Sequence, residues 1–260
     1  PVAICNDQDF KNLMHVYLDA VFYPNIYKEQ NIFRQEGWHY ETGDADSEIT
    51  VNGVVYNEMK GALSSAEDIL SRQINASLYP HTTYANESGG DPACIPDLTY
   101  EAYLDFHRRY YHPSNSYIYL YGDMDMAERL EWIDEHYLSH FDRLDIDSTI
   151  ETEPAFAEPV EARCVYSILP EEDPKGKSFL SWNVAALPDG LDAGRNMALR
   201  ILNYALCDAE GAPVRKALRD RGLGEDVYTI FENEIRQPSY SIISKYTDPE
   251  RKEEFVTTIR

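Results

Sequence analysis

Basic residues are scarce in this 260-residue chain: 23 Lys and Arg stand against 46 Asp and Glu, a formal net charge of −23. That balance excludes a nucleic-acid or anionic-membrane surface, both of which need clustered cations. Cysteines are few and far apart, at 5, 94, 164 and 207, with no CxxC. Neither a zinc knuckle nor a disulfide framework follows, and buried free thiols in a reducing compartment are the simplest expectation. No apolar run approaches membrane-spanning length and no signal peptide is recognisable. Catalytic words are missing as well. There is no G-x-S-x-G elbow, no phosphate-binding glycine loop with its Lys, and no H-x-x-E-H. The chain opens on Pro1-Val2, not Met, and so reads as a piece of something longer.

What is present suits a folded protein: 43% of residues are hydrophobic and 20 are tyrosines. Asn6 or Asp7 can cap a helix with Phe10, Leu13, Met14, Tyr17, Leu18 and Val21 on one face, ending before Pro24. A short strand is expected at 37–41, and 48–51 reads either as another strand or as the lead into the helix that carries Glu58. Helices follow behind Ser64 or Ser65, behind Thr99, and behind Asp125, where Glu128 completes a capping box and Met126, Leu130, Ile133 and Tyr137 face inward. A further strand is expected over 116–121. Residues 146–163 are acidic and hold Pro154 and Pro159, so they read as a linker between a first domain, 1–145, and a second, 164–260. The second reads strand, strand, helix, helix, strand, strand, helix, with strands near 164–169, 178–184, 226–231 and 239–246. Adjacent strands with grouped helices predict an α+β fold, an antiparallel sheet with helices packed on one face.

One side chain breaks its pattern. Val51, Val54, Val55, Met59 and Ala62 fall at helical spacing, and Glu58 sits on that same apolar face. An ionised carboxylate withdrawn from water costs several kcal/mol unless a cation, a proton or a metal meets it. The plainer alternative is a carboxylate at the edge of the face, reaching solvent. The histidines offer less. His136 and His140 have the i, i+4 spacing of zinc ligands but lack the glutamate of H-E-x-x-H, and read as surface residues. His39 and Glu41 share a strand face; His107 and His112 do not converge.

Several words of the sequence resemble the presequence-protease branch of the M16 (insulinase, inverzincin) zinc peptidases. They are Pro1-Val2-Ala3, Asp9 to Met14, Val16 to Pro24, Gln35-Glu36-Gly37-Trp38, Gly53 to Gly61, Ser88 to Pro92, Ile95 to Thr99 and His112 to Asn115. Beyond the linker the likeness thins to Glu210-Gly211-Ala212-Pro213, Leu218 and Gly222-Leu223-Gly224. The resemblance implies two partial domains of the LuxS/MPP-like metallohydrolase fold, and a zinc metalloendopeptidase that attacks unstructured peptides with zinc-activated water. It implies Glu58, within Asn57-Glu58-Met59-Lys60-Gly61, as third zinc ligand. The H-x-x-E-H that supplies the other ligands and the base would lie upstream, so this chain alone is expected to hold no zinc and no activity. Glu210 and Gly211 resemble a peptide-anchoring region. Extended peptides and the other half of an enclosing chamber are the implied partners, in a bacterial cytoplasm or an organelle matrix. The family also contains zinc-free members, which leaves a non-catalytic scaffold or peptide-binding subunit as the alternative.

Overall fold

The computed structural model describes Ile4, residues 6–185 and residues 190–260. Pro1 to Ala3 and Cys5, which entered the sequence reading, lie outside them. The chain divides into two compact units. The first comprises Pro1–Gly61 with Gly89–Thr149, and the second Ala62–Ser88 with Ile150–Arg260.

In the first unit, helix α1 (Asp7–Phe22) starts where the Asn6 side chain accepts from the Asp9 amide, and Asp7 and Asp9 complement its positive end. It buries Met14, Leu18 and Phe22 against Ile133 and Tyr137, at the far end of helix α6 (Met126–His136). Asp125 caps α6 by accepting from the Glu128 amide, as expected. The inward face differs from expectation: Met126 and Leu130 are exposed, and Arg129 is buried in their place. The guanidinium of Arg129 pairs with the Asp7 carboxylate, which makes its burial affordable. Between these helices come a short helix α2 (Gln30–Ile32), a π turn (Phe33–Gly37) and an antiparallel hairpin of β1 (His39–Glu41) with β2 (Thr50–Asn52). Helix α3 (Val54–Ala62) follows at once, and α5 (Tyr100–Tyr110) begins at the Thr99 cap.

The second unit is built on a three-stranded antiparallel sheet in the order β3 (Ser178–Ala185), β5 (Ser239–Thr247), β4 (Asp226–Glu232). Its alternation of side chains defines two faces. Leu180, Trp182, Val227 and Ile242 meet Cys207, Leu218, Leu223 and Phe255, contributed by or beside helices α7 (Ala193–Asn203), α8 (Pro213–Asp220) and α9 (Lys252–Ile259). The opposite face carries Ile243, Phe179 and Tyr228 against Ile74, Leu78 and Tyr79 of helix α4 (Ala66–Leu78) and its C-cap. The α+β class therefore holds. Helices α7, α8 and α9 group on one face, and α4, from earlier in the chain, reaches the other. Gly222 ends α8 at φ +62°, with the Leu223 amide donating to the Leu218 carbonyl at 3.0 Å, a Schellman closure.

Two expected strands do not form. Residues 116–121 and 164–169 run without regular structure, because a strand needs a neighbouring ladder and no described residue supplies one. The thiols also depart in part from expectation: Cys207 is buried, while Cys94 and Cys164 are free but exposed.

The acidic stretch expected as a linker divides at Thr149/Ile150, and the part from Ile150 onward is anchored within the second unit. Glu153 is buried; its carboxylate accepts from the His81 amide at 2.9 Å and from His81 Nδ1 at 2.7 Å, and its own amide donates to Gln237 Oε1 at 2.8 Å. Desolvation pushes the Glu153 carboxyl upward, but the His81 hydrogen bonds outweigh it and hold the group below the usual glutamate range. A carboxylate depressed in the fold stabilises it above the unfolded value, near about 4.3, and that contribution is lost as pH falls through the lower folded value. Glu153→Ala is accordingly expected to cost ~1–3 kcal/mol at neutral pH. It should also flatten the acid limb of the urea midpoint against pH, an effect absent if Glu153 is not ionised in the fold.

Candidate functional site

Helix α3 is held at its start by backbone contact and side-chain hydrogen bonds. Gly53 adopts φ +154°, and a Cβ there would stand 2.2 Å from the Gly37 carbonyl oxygen, so only glycine lets β2 turn into α3 at this point. Asn52 Oδ1 accepts from the Gly53 amide at 2.8 Å and from Asn57 Nδ2 at 2.6 Å, while Asn52 Nδ2 donates to Glu41 Oε2 at 2.6 Å. Hairpin and helix are thereby joined through Asn57, the residue before Glu58. On the next turn Met59 is buried, and Gly89 lies so close that a Cβ on it would reach the Met59 sulfur at 2.2 Å. The Ser88-Gly89-Gly90 loop thus contributes close packing beside α3.

With Met59 turned inward, Glu58 faces the other way. It is exposed, as are Val54 (52%) and Val55 (36%) on the turn before it. The expectation of a carboxylate buried on an apolar face is therefore corrected. Val51 lies on β2, and of the apolar residues on α3 only Met59 is buried while Val54, Val55 and Ala62 are exposed, so the burial cost that demanded a partner is not incurred in this chain. Among the described residues Glu58 has no hydrogen-bond or ion-pair partner. What results is an exposed, uncommitted carboxylate on a helix whose start is fixed by Asn52 and Gly53.

The histidines take structural roles. His107 Nδ1 meets the Tyr27 hydroxyl at 2.8 Å and Nε2 the Val21 carbonyl at 3.2 Å; burial pushes this imidazole downward, against the pull of that carbonyl. His39 Nδ1 bonds the Arg34 carbonyl at 2.8 Å. His112 Nδ1 caps a turn by accepting from Ser114, and His136, exposed, stacks on Trp132 at 4.4 Å. His140 is exposed beside the Tyr23 hydroxyl. Among the described residues no three His, Cys, Asp or Glu side chains group as a metal site. Zinc sites with catalytic water take three protein ligands. The residues present do not compose one, and Glu58 offers a single donor. A cleft of about 700 Å3 in the first unit, lined by Phe33, Arg34, Trp38, Tyr40, Tyr100 and Glu101 among others, does not include it.

Glu210 and Gly211 are exposed in the loop between a π turn (Tyr204–Asp208) and α8, with Gly211 at φ +76°. Asp208 Oδ1 accepts from Thr229 Oγ1 of β4 at 3.2 Å, which sets that turn beside an outer strand of the sheet. The Asn52 bridge to Asn57 is the supporting feature that sequence reasoning missed. Its signal was an asparagine one residue before a glycine that opens a helix.

The profile described as the Peptidase M16 inactive domain matches residues 97–260. Protein HypA of Clostridium perfringens is 48% identical over 255 residues, covering 98% of this chain and 26% of that protein. Presequence protease 1, chloroplastic/mitochondrial, of Arabidopsis thaliana is 41% identical over 245 residues, 93% of this chain and 23% of its own length. The mitochondrial presequence protease of Mus musculus is 38% identical over 235 residues, 87% of this chain and 22% of its length. The chain thus spans about a quarter of the length of the curated relatives it matches. By the extent of the profile match, joined to the likeness along nearly all its residues, this chain belongs to the M16 peptidase family.

Proposed function

We propose that this chain works as part of a longer zinc-dependent endopeptidase that degrades unstructured peptides, and that Glu58 is one ligand of its metal. The observation that carries the reading is the likeness to presequence proteases along nearly the whole chain, with Glu58 in the Asn57-Glu58-Met59-Lys60-Gly61 segment on a helix fixed at its start by Gly53 and Asn52. The described residues do not make a zinc site by themselves, so the remaining ligands and the general base are assigned to polypeptide outside these 260 residues. Glu210 and Gly211, beside an outer strand of the sheet, are assigned to holding the extended substrate, for which strand addition is the natural mode. No helix of the described residues is long and apolar enough to cross a membrane. A bacterial cytoplasm or an organelle matrix is the proposed setting.

A second reading is a non-catalytic scaffold of the same fold, favoured by the match of residues 97–260 to a domain described as inactive. Glu58 lies outside that match. The test is metal removal. The longer protein is expected to hydrolyse an unstructured peptide, to stop when dialysed against a chelator, and to recover with zinc. Hydrolysis that persists at full rate without metal, or none with it, would remove the reading.

A further inference from the structure

Asn52-Gly53 is the one Asn-Gly pair in the sequence, and the groups around its side-chain amide do more than hold a turn. Asn52 ends β2 and is half-buried, and Gly53 is buried where the chain enters α3. The Gly53 amide donates at 2.8 Å to Oδ1 of the residue directly before it. That contact brings the Gly53 nitrogen up to the Asn52 side-chain carbonyl, with Cγ one bond from the accepting oxygen. Glycine places no Cβ beside the approaching nitrogen. Asn57 Nδ2 donates to the same Oδ1 at 2.6 Å, so negative charge developing on that oxygen is met by a second N–H donor. On the other side, Asn52 Nδ2 lies 2.6 Å from Glu41 Oε2, a carboxylate able to carry a proton to that nitrogen. A nucleophile, an oxyanion donor and a proton carrier thus converge on one amide.

We propose that Asn52 is a self-modification site, converted to aspartate and isoaspartate through a succinimide that the Gly53 nitrogen closes. The nitrogen attacks Asn52 Cγ while its proton passes to Oδ1. The bond from Cγ to Nδ2 then breaks, the Oδ1 proton reaches Nδ2 through Glu41, and ammonia leaves. Water opens the ring at either carbonyl, so that amide and water become carboxylate and ammonium. The product undoes the bridge from hairpin to helix. A carboxylate at position 52 has no N–H for Glu41, and two like charges face each other where a hydrogen bond stood. In isoaspartate the main chain runs through Cβ and is one atom longer. It lengthens beside Gly53, which is packed so closely that a Cβ there would stand 2.2 Å from the Gly37 carbonyl oxygen, so α3 must shift at its start. The helix that carries Glu58 therefore loosens with age. That consequence, unlike the modification itself, rests on the reading of Glu58 as a metal ligand.

Incubating the folded chain, and the same chain unfolded in urea, at equal pH and temperature tests it. The peptide spanning Asn52-Gly53 is followed by mass, and its isoaspartate by enzymatic methylation. Conversion at position 52 is expected to run roughly 10-fold faster in the folded chain than in the unfolded one. Glu41→Gln and Asn57→Ala, both at exposed side chains, should each slow the folded rate roughly 10-fold and leave the unfolded rate unchanged. Conversion no faster in the fold than in urea overturns the proposal, since the hydrogen bonds would then guard the amide. So does a folded rate that either substitution leaves unchanged. Conversion as expected, where the longer protein lacks zinc-dependent hydrolysis, would sink the proposed function and leave this inference standing. A guarded Asn52 in an active zinc enzyme would do the reverse.

Discussion

Glu58→Gln in the longer protein is expected to lower kcat/KM for peptide hydrolysis about 100-fold or more. Residues that merely orient metal ligands cost ~10–100-fold in affinity or activity when changed, and a direct ligand should cost no less. Glutamine keeps the shape and removes the charge. Because Glu58 is exposed and unpartnered here, the substitution removes no packing or hydrogen bond from α3, and the thermal midpoint of this chain should be unchanged. That separation makes the result informative. A loss of activity accompanied by a loss of stability would place Glu58 among structural residues, while undiminished activity would remove it from the site.

The largest effect on stability is expected from Ile243→Ala. Ile243 is fully buried on the central strand β5, between the sheet and Ile74, Leu78 and Tyr79. Truncating a buried aliphatic side chain leaves a cavity and typically costs ~2–5 kcal/mol. Neighbouring strands hold β5 on both sides, so the site cannot collapse easily and the upper half of that range is expected in urea unfolding. The exposed Ile201 of α7 provides the control, since Ile201→Ala removes no core contact of this kind. Equal costs at the two positions would contradict the packing described for the second unit.

What could be read from the sequence was chiefly what is local. Asn6, Ser65, Thr99 and Asp125 each cap the helix expected of them, because a cap is decided by three or four neighbouring residues. Gly222 ends α8 for the same reason. The strands at 178–185, 226–232 and 239–247 were legible because their apolar residues are both β-prone and mutually paired. The pattern at 117–121 was equally strand-like, and the ladder it would need is not among the described residues. Burial was harder to read. Arg129 is inside because Asp7, 122 residues earlier, receives it, and Tyr79, just past the end of α4, is inside with its hydroxyl donating to the Gln237 carbonyl at 2.6 Å. Both depend on long-range partners that no local window contains.

Glu58 illustrates the same limit at the candidate site. Helical period placed it on one stripe with Val55 and Met59, but a stripe has two edges. Which edge is covered was decided by the packing of Met59 against Gly89, remote in sequence. The sequence therefore identified the unusual residue and misjudged its surroundings. The structure places this carboxylate at the surface beside Val54 and Val55, and it is where the proposed chemistry enters.

The most direct measurement is the zinc content of the longer protein, wild type against Glu58→Gln, after dialysis into metal-free buffer. One zinc per chain in the wild type and a clearly substoichiometric amount in the variant, with the fold intact in both, is the predicted result. Equal zinc in the two proteins would contradict the account.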